Sequence, residues 1–331
     1  MNRNIKRILI FILPLMVLAY PVDYIISVNL KKSNWFACGE YPVWNDIYSG
    51  QVNSKIVIYG SSKAWTGINP QVIEDSLGLS CYNLGIDGHN FRMEYLRHLE
   101  YLENNPQPEI ILMSVDVLSL YTRVDLYNYE QFLPYIYRKN VREYTTGYQG
   151  FSKFDYILPL VRYIGESEAV TVAFENMLSL GNTSTERVKG FKANDYEWTD
   201  EFAKAKAMMD KYYVKLDPES IRLFDVFLAD CQTRGIDVVL VLTPDYIEGQ
   251  EFIDNRAEVI RYYQDFSAKY GIPFLDYSSD PICLEKGYFY NSSHMNKKGT
   301  EVFEEMFIAD LKKLNTVIRH TGGTQVPVNG D

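Results

Sequence analysis

Chemistry in this 331-residue chain can be built from three short segments. The first, IVIYGSSKAW, runs an apolar stretch into Gly60, Ser61 and Ser62. At the carboxyl end of a strand in a parallel sheet, such a turn faces the crevice where ligands meet the fold, and glycine permits the sharp bend. The second, CYNLGIDGHN, frames a tight loop between Gly85 and Gly88 whose backbone N–H groups can hold an anion or a developing oxyanion. The third, GYFYNSSHMNKKGTEVF, places His294 in a polar loop ahead of the last helical segment. A serine hydroxyl and an imidazole that meet in space form a nucleophile and its general base. Each segment also has an ordinary reading: a serine can cap a helix, Gly-x-x-Gly is common, and a lone loop histidine is most often a surface residue. Neither glycine segment is a dinucleotide fingerprint, and GSSKAWTG lacks the Gly-Lys-Ser/Thr of a phosphate-binding loop.

The elements that must position these residues follow from hydrophobic periodicity. β-Rich runs at Lys55 to Tyr59, Ser80 to Leu84, Ile110 to Val115, Asp237 to Leu242 and Ile272 to Leu275 are bounded by turn residues. Most are too continuously apolar to alternate, as suits strands buried on both faces of a parallel sheet. Helical spacing marks Phe91 to Glu103, Pro218 to Arg234, Phe252 to Tyr270 and Lys298 to Leu314. The helix at Pro218 is the best signalled, with Asp217 as cap, Pro218 in the first helical position, Glu219 at the positive end of the dipole and Gly235 as stop. The pattern predicts an α/β fold with a parallel sheet of about five strands. His294 then follows the last strand, at the same carboxyl edge as Ser62.

Between about residues 119 and 215 the repeat breaks. This interval is dense in tyrosine and phenylalanine and reads as a mainly helical insertion that lines or covers a site, or whose aromatic rings pack it against the sheet. At the other end of the chain, Arg3, Lys6 and Arg7 precede the apolar run Ile8 to Tyr20, which continues more weakly to Val28. This is the pattern of an export signal, here an uncleaved signal-anchor, with the folded domain outside the cytoplasm. The expected organisation is a membrane segment at residues 1–30, a juxtamembrane segment at 31–50, the main domain at 51–316 and a flexible tail at 317–331.

Composition sets the remaining bounds. With 47% apolar residues the chain can bury a large core. A formal charge of −10 leaves no broad basic surface for a nucleic-acid backbone. Four scattered cysteines, Cys38, Cys81, Cys231 and Cys283, form neither a disulfide scaffold nor a CxxC metal or redox site.

Taken together, the three segments resemble the blocks of the SGNH (GDSL-like) hydrolase superfamily, over about residues 51–316. The resemblance implies a flavodoxin-like three-layer sandwich with the nucleophile at Ser62. It implies oxyanion N–H groups from Ser62 and Gly88, and His294 as base in an Asp-x-x-His block matched by Asn291, Ser292, Ser293 and His294. The chain departs from the family pattern twice. Asp116 stands near the place of an oxyanion-binding asparagine, and Asn291 stands in place of the aspartate. An amide oxygen can still orient the ring but cannot stabilise the imidazolium by charge. Asp116, Asp276 and Asp87 are the candidates for a substitute orienting acid.

The implied function is that of an extracytoplasmic serine esterase or O-acyltransferase acting on acyl groups of a cell-surface glycan. Its partners would be the acylated glycan or a small ester, the membrane and, for transfer, a membrane-bound acyl donor protein. No metal or organic cofactor is implied. The alternatives are a catalytically weak or inactive glycan-binding or assembly protein of the same fold, and a purely structural membrane-tethered partner.

Overall fold

The computed structural model describes residues 3–181 and 187–321. In chain order the helices and strands are α1 (Arg3–Leu30), α2 (Phe36–Tyr48), β1 (Ile56–Tyr59), α3 (Ser62–Gly67), α4 (Pro70–Leu77), β2 (Cys81–Asn83), α5 (Phe91–Asn104) and β3 (Ile110–Val115). Then come α6 (Lys139–Thr145), α7 (Ser167–Met177), α8 (Glu201–Met208), α9 (Pro218–Arg234), β4 (Asp237–Leu242), α10 (Ile247–Phe252), α11 (Arg256–Tyr270), β5 (Phe274–Asp276) and α12 (Lys297–Thr321).

All five strands are parallel, in the order β2-β1-β3-β4-β5. This is the doubly wound, flavodoxin-like order, in which the chain first builds outward from β1 and then reverses. Strand side chains alternate between two cores. Val57, Tyr59, Ile111, Met113, Leu240 and Leu242 join the cluster containing Phe91, Phe224, Phe227 and Tyr263. Ile56, Ile58, Leu112, Val239 and Val241 join the cluster containing Ile73, Phe303, Phe307 and Leu311. Helices therefore cover both faces, which explains why the strands read as unbroken apolar runs. At the start of α9, the Asp217 carboxylate accepts from the N–H groups of Glu219 and Ser220, and Gly235 ends the helix in the left-handed conformation.

The segment before β1 packs into the body. Tyr41, Trp44 and Ile47 of α2 are fully buried in the first cluster. The carboxyl-terminal half of α1 is also engaged: buried Asp23 pairs with Arg162 and accepts from the Leu160 N–H, and the Ser27 hydroxyl meets the Tyr163 hydroxyl at 2.7 Å. Among the described residues no helix is long and apolar enough to cross a membrane. The side chains of residues 1–13, 15 and 16, which carry the basic head and much of the apolar run, lie outside the described ones.

Two expectations are corrected. The interval 119–215 is not mainly helical: it holds the short helices α6, α7 and α8 and brief 3-10 turns, separated by long irregular connections. Glycines at 147, 150 and 165 adopt positive φ, and Pro134 and Pro159 interrupt any longer helix. Part of the expected tail is helical too. α12 runs to Thr321 because no breaker precedes Gly322; residues 322–331 lie outside the described part.

Gly60 shows how closely β1 meets its neighbour at the carboxyl edge. Its φ is +141°, and a Cβ there would stand 2.6 Å from the Ser114 carbonyl oxygen. Gly60→Ala should destabilise the chain by roughly 1–3 kcal/mol from the backbone conformation alone, with the clash adding to that. A lowered urea midpoint measures the effect.

Candidate active site

The turn after β1 is fixed from several sides. Ser61 caps α3, its hydroxyl accepting from the Lys63 N–H and donating to Asp116 Oδ2 at 2.5 Å. The Gly60 carbonyl accepts from the Ile86 N–H at 2.9 Å, tying the turn to the loop after β2. Buried Asn83 reinforces this tie, donating to the Ala64 and Ile68 carbonyls and accepting from the Gly85 N–H. Ser62 is the first residue of α3, so its N–H has no partner within the helix and stays open to an anion at the turn.

The structure brings Ser62 and His294 together. Ser62 Oγ lies 2.8 Å from His294 Nε2. On the other side of the ring, Nδ1 lies 3.0 Å from Asn291 Oδ1 and 3.1 Å from Ser293 Oγ. The same Asn291 oxygen accepts the backbone N–H groups of Ser293 at 3.0 Å and His294 at 2.9 Å. Two amide donors fix which end of the Asn291 side chain faces the ring. An acceptor at Nδ1 then puts the ring proton there, leaving Nε2 free to receive the serine proton. Tyr290 stacks on the imidazole with centroids 5.3 Å apart.

None of the three proposed acids orients the ring. Asp116 accepts from the Ser61 hydroxyl and from the Leu118 N–H at 2.6 Å. Asp87 accepts from Trp65 Nε1 and Asn128 Nδ2, and burial, then the Glu40 carboxylate, push its pKa up. Asp276 is exposed and caps the Ser278 N–H. The Asp116 charge reaches the ring, while the local turn 291–294 supplies the Nδ1 partner itself. Gly88 has φ +66° and packs against the Tyr127 ring; its carbonyl is held by Arg123.

Two charged groups of the site carry no motif. Lys63, directly after Ser62, forms a buried ion pair with Asp245. Burial raises the Asp245 pKa, against the pull of Lys63. Glu40 of α2 is fully buried with Arg97 at 2.6 Å and Arg187 at 2.7 Å. Burial alone would raise the Glu40 pKa, but Arg187 and Arg97 bring it below the usual carboxylate range. Both arginines also donate to the Gly85 carbonyl, and Glu40 accepts the Asp87 N–H, so this cluster holds the glycine loop from behind. Neither group is signalled by the sequence, since each pairs residues far apart along the chain.

The electrostatics favour a neutral imidazole. Burial, and after it the Lys63 ammonium, lower the His294 pKa from 6.5 to about 4, while Asp116 pulls the other way. Among the described residues no cluster of His, Cys, Asp and Glu side chains could hold a metal ion, and the four cysteines are free.

No protein-family model matches this sequence, and no curated protein does. Solved structures with a similar chain course include a protein described as an acylhydrolase from Bacteroides fragilis NCTC 9343. It is 14% identical, with a TM-score of 0.38 over 86% of this chain and 99% of that one. A GDSL-like lipase from Bacteroides thetaiotaomicron VPI-5482 is 15% identical, with a TM-score of 0.37 over 83% of this chain and 97% of its own. A protein described as a platelet activating factor from Streptococcus pneumonia is 9% identical, with a TM-score of 0.39 over 91% and 96%. Identities and TM-scores this low add nothing to the case for chemistry, which stands on the site's own geometry.

Proposed function

We propose that the chain is a serine esterase or O-acyltransferase acting on ester-linked acyl groups of a cell-surface glycan, held outside the cytoplasm by its amino-terminal segment. The observation that carries this reading is the 2.8 Å approach of Ser62 Oγ to His294 Nε2, with Nδ1 held by Asn291. Ser62 Oγ attacks the acyl carbonyl carbon as its proton passes to Nε2. The carbonyl π-electrons move to oxygen, where the Ser62 and Gly88 N–H groups are the proposed donors. Collapse expels the alcohol oxygen, which takes the proton from Nε2 and leaves an acyl-serine. Water, or a sugar hydroxyl, then gives its proton to Nε2 and attacks the acyl carbon; the proton returns to Ser62 Oγ as the acid or the new ester departs. Glycan and membrane enter this reading through the family resemblance and the basic-apolar amino terminus.

A second reading, a weak or inactive glycan-binding protein, is favoured by one observation: the Nδ1 partner is an amide. In a serine protease, exchanging the triad aspartate for asparagine lowers kcat by on the order of 10⁴. Here Asn291 Oδ1 receives only N–H and O–H donors, so a carboxylate fits the same contacts.

Release of p-nitrophenol from p-nitrophenyl acetate separates the readings. Ser62→Ala should abolish turnover, and Asn291→Asp should raise kcat by about tenfold or more. A wild type whose turnover survives Ser62→Ala overturns the esterase reading; no turnover in wild type or Asn291→Asp favours the binding protein.

The pH profile follows from the sign of the His294 shift. The ring acts as base only when neutral, and its pKa is lowered from 6.5 to about 4. Activity should therefore persist as pH falls from 7 to about 5 and be lost through about pH 4. The double variant Lys63→Met/Asp245→Asn, which removes both members of the buried pair, should move this acid limb of kcat/KM upward, because Lys63 is the charge that lowers the ring's pKa.

A further inference from the structure

Beside the catalytic loop lies a partly open cavity of about 250 Å³. One wall is the turn Asn291, Ser292 and Ser293; Phe202 and Tyr212 from the 119–215 interval and Phe252 of α10 supply aromatic surface. Three charged residues line it: Asp245, Glu201 and Arg256. They are not equivalent. Asp245 is already paired with Lys63. Exposed Glu201 accepts from the Thr199 hydroxyl at 3.4 Å. Arg256 makes no ion pair among the described residues, although its charge is felt by Asp245, and its Nε and Nη2 are buried without an acceptor.

Those two nitrogens lie along one edge of the guanidinium, the edge that grips both oxygens of a carboxylate. A buried donor left unpaired is unfavourable, and the Phe202 and Phe252 rings offer it no acceptor. The position relative to the reaction is equally specific. The departing alcohol oxygen must take its proton from His294 Nε2, so the alcohol portion of an ester lies on the histidine side of Ser62. The residues just before His294 form one wall of the cavity, which therefore adjoins the loop that carries the base.

We infer that this cavity is the subsite for the sugar carrying the ester, and that Arg256 selects a sugar bearing a carboxylate. This rests on the esterase reading. Both orphan nitrogens are covered in the structure, so binding entails a rotation of the side chain that turns their edge into the cavity. The volume lies below the roughly 300–1,000 Å³ of sites for drug-sized ligands, which suits one sugar residue more than a longer stretch of glycan.

Ligand-observed NMR on the full chain tests the inference with methyl glucuronide and methyl glucoside as probes. The glucuronide should bind about tenfold tighter or better. Arg256→Met should remove that preference and Arg256→Lys should retain part of it, because a lysine keeps the charge but loses the fork. Equal affinity for the two probes in wild type overturns the inference, as does a preference that survives Arg256→Met in a chain with unchanged melting temperature. If Arg256→Met does not fold, the wild-type comparison and Arg256→Lys decide. Failure of the esterase reading is separately visible. A chain that prefers the glucuronide but shows no Ser62-dependent p-nitrophenyl acetate hydrolysis keeps carboxylate recognition and loses acyl chemistry. A chain that hydrolyses the acetate through Ser62 without any glucuronide preference does the reverse.

Discussion

Ser62 can pass its proton only to an imidazole that is close, correctly turned and uncharged, and each condition has its own structural cause. Closeness comes from topology: a parallel sheet ordered β2-β1-β3-β4-β5 brings the carboxyl ends of its strands to one rim, so residues 232 positions apart meet at 2.8 Å. Orientation comes from the turn 291–294, where two backbone N–H groups and the ring converge on one amide oxygen. Neutrality comes from the partial burial of the ring and from the ammonium of Lys63.

The loops that frame the site are held by charge in places where charge is costly. Lys63 and Asp245 are paired under the turn, Glu40 and its two arginines behind the glycine loop, and Asp23 and Arg162 where α1 meets the 119–215 interval. Such pairs are poor sources of net stability, because desolvation offsets most of the attraction; breaking one by removing a single partner costs about 3–5 kcal/mol. Their effect is positional. Arg97 and Arg187 lie over the rings of Trp44 and Trp65 while donating to the Gly85 carbonyl, so one backbone oxygen is located by two rigid forks.

How much of this the sequence discloses depends on the range of the interaction. The strand at Ile110–Val115, the strand at Asp237–Leu242 and the helix at Pro218–Arg234 have the bounds their periodicity and caps predict, since those signals are local. The Ser62 turn and the His294 loop were legible as separate pieces of chemistry and met only through the topology. The buried pairs were not legible. Lys63 and Asp245 are 182 residues apart and Glu40 and Arg187 are 147 apart; a charge read alone defaults to a solvated surface. In the aromatic interval Tyr135, Tyr148 and Tyr163 are core residues, while Phe202, equally buried, and Tyr212, packed against the same core, also line the cavity.

The field around the imidazole is set mainly from outside its own loop. Asp116, at the end of β3, favours the charged ring, but the Ser61 hydroxyl and the Leu118 N–H occupy its two oxygens. Glu94 is buried with both carboxylate oxygens unbonded, and burial followed by the Asp116 charge drives its pKa well upward. Lys63 outweighs Asp116, and Asn291 contributes orientation without charge. The handicap therefore falls on the moment at which the ring carries a proton. A leaving group stable as an anion meets that moment once, when Ser62 gives up its proton, whereas a sugar alkoxide also needs the same proton back to leave. The amide at 291 thus weighs on every ester that Ser62 attacks, and most heavily on one whose leaving group must be protonated.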